Sequence, residues 1–348
     1  MPSVPTSTEP IHPTDDVRVT HEFATVNGRK YHYVNGFPKG EQKGVFLLLH
    51  GFPELWYSWR YIIPALLDHG FRVITPDLLG YGQTDKPVCT QDQLGPYTHK
   101  SMSNDLAELL KQLNIPKVVV VGHDWGSYLA QRFAFFQPEL VSHIVVIAVP
   151  FMPLQKQEVT PEDMVKMLPN FKYQLSFIDP EKFENGLKER KDVERLFRAF
   201  FQPKPPAPRP KGQLARINVV DCVLDAIRDV PKSDMITEEE LQYYVDYFTQ
   251  GGFHGPCNWY RTRWYNWNDE KDLPNSTIKV PALFIQTIHD VILSPDFVEK
   301  VPQHLVAPKL THRTVGTDHW AMMEDPDAIN SILKEWITVV VLGGGSKL

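Results

Sequence analysis

The 348 residues, 42% hydrophobic and 22% charged, suffice for one large α/β domain carrying a sizeable insertion. A net charge of −6 gives no electrostatic reason to expect a nucleic acid partner, and no apolar run approaches a membrane span, residues 337–342 being far too short. Cys89, Cys222 and Cys257 match no metal spacing and cannot all pair, so reduced thiols in an intracellular compartment are expected, with no metal.

Residues 1–16 are rich in Pro, Ser and Thr and lack an apolar core, so no signal peptide is expected. Residues 31–35 read as an antiparallel strand near a sheet edge. Runs at 45–49, 72–75, 117–121 and 143–148 read as buried parallel strands, with helices at 101–113 and 125–136 between them. The rhythm then breaks. From 153 to about 275 there is no convincing buried strand, only amphipathic stretches, frequent aromatics and a proline cluster at 203–210. Strands return at 282–287 and 310–315. The expected fold is α/β: a mostly parallel sheet flanked by helices, built from 1–152 and 276–348, with 153–275 inserted as a helical lid. Such a lid belongs over the strand C-terminal ends, where ligands bind in open α/β sheets.

The stretch Val118-Val119-Val120-Val121-Gly122-His123-Asp124-Trp125-Gly126 carries the chemistry. A buried strand runs into Gly-x-Asp-x-Gly, whose glycines permit the tight turn that exposes the nucleophile of an α/β-hydrolase. The central residue is Asp124 where most such enzymes have serine. A carboxylate attacks a saturated carbon better than an acyl carbon, giving an alkyl ester that must then be hydrolysed. Epoxides or alkyl halides are the substrates this implies. The fold orders its triad nucleophile, acid, histidine. Asp290 ends the strand Phe284-Ile285-Gln286-Thr287, and His319 lies just past the last strand. The earlier acid position, Ile147-Ala148-Val149-Pro150, holds no carboxylate. His123 and His289 read as structural, and Asp318 as a neighbour too close in sequence to face His319. Two backbone N–H donors should form an oxyanion hole, from Trp125 and from Phe52 in His50-Gly51-Phe52-Pro53. Both should also favour the ionised form of Asp124.

The runs His50-Gly51-Phe52-Pro53-Glu54-Leu55-Trp56-Tyr57-Ser58-Trp59-Arg60, Gly80-Tyr81-Gly82-Gln83-Thr84, Gly122-His123-Asp124-Trp125-Gly126 and Asn258-Trp259-Tyr260-Arg261 together resemble the epoxide hydrolase branch of the α/β-hydrolases. The chain is similar to the catalytic domain of soluble epoxide hydrolases from about Phe23 to Trp336. The resemblance implies a cis Phe52-Pro53 bond, and two lid tyrosines, Tyr173 and Tyr260, that hydrogen-bond the epoxide oxygen. The phosphatase domain of the two-domain mammalian enzymes has no counterpart here, so no phosphatase activity is expected. Chemistry asks for such phenols independently, because an opened epoxide leaves a strongly basic alkoxide. On the residues alone, amphipathic lid tyrosines with solvated hydroxyls would fit equally well.

The expected reaction is hydrolysis of a small-molecule epoxide to a vicinal diol, with no cofactor. Phe52, Trp125, Phe171, Gln174 and Trp320 are assigned to substrate binding. Haloalkane or haloacid dehalogenation is the alternative that shares the Asp nucleophile, and a non-catalytic binding protein on this fold is the third reading. The end Ser346-Lys347-Leu348 reads as an address for a peroxisomal import receptor, or else as a Gly-Ser linker scar; the location expected is peroxisomal or cytoplasmic.

Overall fold

The computed structural model describes residues 9–202, 232–274 and 277–344. The proline cluster at 203–210, Cys222 and Ser346-Lys347-Leu348 lie outside them. Eight strands form one sheet: β1 (Val19–Val26), β2 (Arg29–Gly36), β3 (Gly44–Leu49), β4 (Phe71–Pro76), β5 (Val118–His123), β6 (Val141–Ile147), β7 (Ala282–Thr287) and β8 (Leu310–Val315). Their order is β1-β2-β4-β3-β5-β6-β7-β8, and all neighbours are parallel except β1–β2 and β2–β4. The parallel strands fall within two residues of the expected runs. The run at 31–35 lies within β2, antiparallel to both neighbours and next to the edge as expected; the edge strand itself is β1. β1 escapes a reading for apolar runs because its sequence, VTHEFATV, is buried only at its two ends.

The central strand β5 is buried at all six residues, covered on both faces as its valine run requires. Helices α1 (Ile63–Asp68), α2 (His99–Gln112) and α3 (Trp125–Phe136) follow the early strands. Between β6 and β7, which pair directly, the described residues hold six α-helices: α4 (Pro161–Met167), α5 (Tyr173–Phe177), α6 (Arg190–Phe200), α7 (Glu238–Gly251), α8 (His254–Arg261) and α9 (Arg263–Glu270). No strand occurs there among the described residues. Among the same residues, no helix is long and apolar enough to cross a membrane, and no His, Cys, Asp and Glu cluster could hold a metal.

The inserted helices are fixed to the core by polar and steric contacts. Thr237 and Glu240 close a capping box at the start of α7, and Glu240 also pairs with the fully buried Arg60. Trp259 Nε1 donates to the Leu79 carbonyl at 3.0 Å. Beside that bond, Gly255 of α8 lies against Gly80 backbone to backbone. A Cβ at Gly255 would stand 2.6 Å from Gly80 Cα, and one at Gly80 would stand 2.8 Å from the Gly255 carbonyl carbon.

Candidate active site

The turn from β5 into α3 places Asp124 at φ 49° and ψ −122°, a conformation that strains any residue with a Cβ. Its surroundings leave no room for other glycine replacements. A Cβ at Gly122 would meet the Gly126 carbonyl oxygen at 2.2 Å, and one at Gly126 would meet the Leu49 carbonyl oxygen at 2.0 Å. Gly51 serves the same site from the other side, since its Cβ would fall 2.4 Å from Asp124 Cβ. The Phe52-Pro53 bond is cis, as the resemblance implies, and the Phe52 N–H donates to Asp124 Oδ1 at 2.8 Å. The Trp125 N–H also hydrogen-bonds this carboxylate.

Asp290 and His319 converge on the opposite oxygen. His319 Nδ1 lies 2.6 Å from Asp290 Oδ2, and its Nε2 lies 3.6 Å from Asp124 Oδ2. Asp290 is itself oriented by the N–H groups of Ile292 and Leu293, donating to Oδ1 at 2.8 and 2.9 Å. Asp318 uses its carboxylate on the His319 backbone N–H at 2.9 Å, so the ring's bond goes to Asp290. His289 is held through its backbone N–H, 3.0 Å from the Thr317 carbonyl.

Burial decides the sign of the Asp124 shift. The two N–H donors, with His319 and His123, act to lower its carboxyl as expected, yet burial outweighs them and the group sits above its ordinary value. For His319 the balance is reversed. Burial alone would lower the imidazole, but Asp290 and then Asp124 raise it to about 9. A histidine titrating near 6.5 when unfolded and about 9 when folded stabilises the protein fully below the lower value. That stabilisation is lost as pH rises from 6.5 through 9. The melting temperature of the wild type relative to His319→Gln should therefore fall across that window; a constant difference would show that His319 is not held charged.

A buried pair lies directly behind Asp124, Asp290 and His319. His123 Nδ1 is 2.8 Å from Glu54 Oε2, and His123 Nε2 is 2.9 Å from the His319 carbonyl oxygen. Glu54 Oε2 also accepts the Gly51 N–H at 2.6 Å. Burial pushes the Glu54 carboxyl up, but His123 and the Gly51 N–H overcome it and hold it at about 2. Glu54 thus supports both the loop bearing Phe52 and the segment bearing His319, a role that the sequence alone did not suggest. Removing one partner of a buried hydrogen-bonded pair leaves the other unsatisfied and costs about 1–3 kcal/mol. Glu54→Ala should lower stability by that amount in urea unfolding, and a loss under about 1 kcal/mol would contradict the pairing.

Over this centre lies a cavity of about 480 Å³, within the range of small-molecule sites. All the residues assigned to substrate binding line it: Phe52, Trp125, Phe171, Gln174 and Trp320. So do Tyr173, at the start of α5, and Tyr260, near the end of α8, whose rings stand 6.3 Å apart. Tyr260 is buried, only 6% exposed, so its ring is packed rather than laid on the lid surface. Its ring is set edge-on against Phe52 at 5.2 Å and Trp125 at 5.0 Å. Tyr173 is half-buried, and Gln174 Nε2 approaches its hydroxyl at 3.4 Å. Burial, and then the Asp124 charge for Tyr173 and Tyr173 itself for Tyr260, raises both phenols far above their ordinary value. Both are therefore protonated donors at neutral pH. Arg261 ties the two helices together, Nε donating to the Ile178 carbonyl at 3.1 Å and the guanidinium pairing with Glu184.

Strand, strained turn and helix, followed in chain order by an acid and a histidine at two later strand ends, define an enzyme site of the α/β-hydrolase class. The α/β hydrolase fold family matches residues 44–326. An epoxide hydrolase of Neurospora crassa, srdG, is 31% identical over 92% of this chain and 96% of its own length. The bifunctional epoxide hydrolase 2 of Rattus norvegicus is 34% identical over 94% of this chain; the chain spans 56% of that relative. The crystal structure of epoxide hydrolase A from Mycobacterium thermoresistibile matches with a TM-score of 0.78 at 29% identity, covering 91% of this chain and 97% of that one. The chain belongs to the epoxide hydrolases of the α/β-hydrolase family.

Proposed function

We propose that this protein hydrolyses epoxides to vicinal diols through an ester on Asp124. The observation that carries the reading is the shared cavity: a carboxylate on the strained turn, and two protonated phenols in the same apolar space. Asp124 Oδ attacks an epoxide carbon from the side opposite its oxygen, and the C–O bond breaks as Tyr173 and Tyr260 hydrogen-bond the developing alkoxide. One phenol delivers a proton, leaving a hydroxyalkyl ester.

His319 then takes a proton from water, which attacks the ester carbonyl. Phe52 and Trp125 N–H groups hold the resulting oxyanion, and Asp290 stabilises the imidazolium. Esterification removes the Asp124 charge, one of the causes that raise His319, and so helps release it as a neutral base. The intermediate collapses as the imidazolium protonates the departing alkoxide oxygen, and the proton lost when the Asp124 carboxylate reforms returns to the phenolate, leaving diol and resting enzyme.

A single turnover in ¹⁸O-labelled water with enzyme in excess tests the route. Unlabelled oxygen in the first diol and label in the Asp124 peptide are expected. Label in the diol from the first turnover would mean direct attack by water. Halide release from haloalkanes without diol formation would instead favour the dehalogenase reading.

A further inference from the structure

Helix α5 is held at its two ends by different parts of the molecule. At its C-terminal end Arg261, on α8, donates to the Phe177 and Ile178 carbonyls at 3.4 and 3.1 Å. That link joins the helix bearing Tyr173 to the helix bearing Tyr260, and so sets one phenol against the other. Within α5, Gln174 Nε2 approaches the Tyr173 hydroxyl at 3.4 Å, but the two are neighbours on one helix and move together. Neither contact places Tyr173 relative to Asp124, which stands on the core.

A directional contact with the core comes from the turn Pro169–Phe171, just before α5. Asn170 Nδ2 donates to the Val291 carbonyl oxygen at 2.9 Å. Phe171 and Phe177 pack on Phe297 and Phe52, with ring centres 5.6 and 4.9 Å apart. Ring packing tolerates sliding, whereas a hydrogen bond weakens steeply with angle and distance. Val291 follows Asp290 directly, and its loop is fixed independently. Asp290 Oδ1 accepts the Ile292 and Leu293 N–H groups at 2.8 and 2.9 Å, and Ser294 Oγ accepts the Phe297 N–H at 3.4 Å. A lid side chain thus grips a loop that is already in place, three residues before a half-buried phenol.

We infer that Asn170 is a positioning residue for Tyr173: through the Val291 carbonyl it holds this phenol over Asp124 while the epoxide ring opens. The inference rests on the epoxide-hydrolysing reading and adds a residue to its first step. Asn170 is outside the cavity lining and acts only through the phenol that follows it. Tyr260 does not need it, since Phe52 and Trp125 enclose that ring edge-on. Asp290 does not need it either, because its own loop supplies two N–H donors. Ester hydrolysis, which uses Asp290 and His319, is therefore spared when Asn170 is lost.

The test measures ester formation on Asp124 and its later hydrolysis separately, by quenched single turnover of an aryl epoxide. Asn170→Leu keeps the size and removes the donor, whereas Asn170→Gln keeps a donor. Each is placed in the wild type, in Tyr173→Phe and in Tyr260→Phe. In the wild type Asn170→Leu should slow ester formation about tenfold, inside the roughly hundredfold that a misplacement of about 1 Å can cost. Hydrolysis should be unchanged, and Asn170→Gln should recover part of the rate. The loss should persist in Tyr260→Phe and vanish in Tyr173→Phe, because a residue acting through one phenol then has nothing left to position. Equal losses in all three backgrounds, or equal slowing of both steps, would make Asn170 a general support of the fold and overturn the assignment. If the wild type forms no ester, the reaction itself is misassigned. The position of Tyr173 is then read from its ¹³Cζ NMR signal, which feels the Asp124 and Asp290 charges, and a signal unmoved by Asn170→Leu overturns the role.

Discussion

Asp124→Asn is expected to abolish turnover, by roughly 10⁴–10⁶-fold, the range seen when a nucleophile or its partner is removed from a catalytic triad. The variant should remain folded, since the amide keeps an oxygen for the Phe52 N–H now bonded at 2.8 Å. His319→Gln should fail differently. Asp124 still attacks, but no base activates water, so one equivalent of epoxide is consumed in a burst and turnover then stops. Mass spectrometry should find the epoxide's full mass added to the peptide carrying Asp124. Diol released steadily by His319→Gln, with no adduct, would remove His319 from the second step; an unmodified but fully active Asp124→Asn would remove the ester route altogether.

The second large effect falls on the phenols. Replacing one by phenylalanine removes a donor to an oxyanion formed only as the ring opens, which costs roughly 10²–10³-fold in rate. Tyr260→Phe should be the more damaging of the two. Its hydroxyl has a fixed position, because the ring is enclosed edge-on by Phe52 and Trp125, whereas Tyr173 is half-buried and bonded only loosely to Gln174. The loss should appear in the rate of adduct formation measured under single turnover, with hydrolysis of a preformed ester unaffected. Removing both phenols should cost more than either alone and leave an enzyme inert toward aliphatic epoxides. A double variant that retains a tenth of wild-type activity would exclude both as proton donors.

Much of this site is written in local sequence, and the rest depends on distance along the chain. The valine run and the glycines at 122 and 126 mark the turn locally, although what forbids a side chain at 126 is the Leu49 carbonyl of a neighbouring strand. Asp290 and His319 are legible because strand ends can be counted. β1 is not, since an exposed edge strand needs no apolar run. The two N–H donors to Asp124 are legible in the motif and act in the expected direction, whereas burial, which lifts the carboxyl overall, belongs to the assembled cavity. Glu54 stands in plain view beside Pro53, yet nothing in that run says that it meets His123 across the fold.

The meeting of Gly80 and Gly255 has a consequence for how enzymes of this shape can be recombined. The two glycines act as a spacer of zero thickness between parts of the chain far apart in sequence, and Tyr260 sits five residues beyond one of them on the same short helix. A lid grafted from a donor with a side chain at either place would ride up by the width of a methyl group, and the phenol would lift away from the carboxylate beneath it. Chimeras should accordingly succeed when both halves of that contact travel together. When only one half is exchanged, the product should fold, bind and do almost no chemistry.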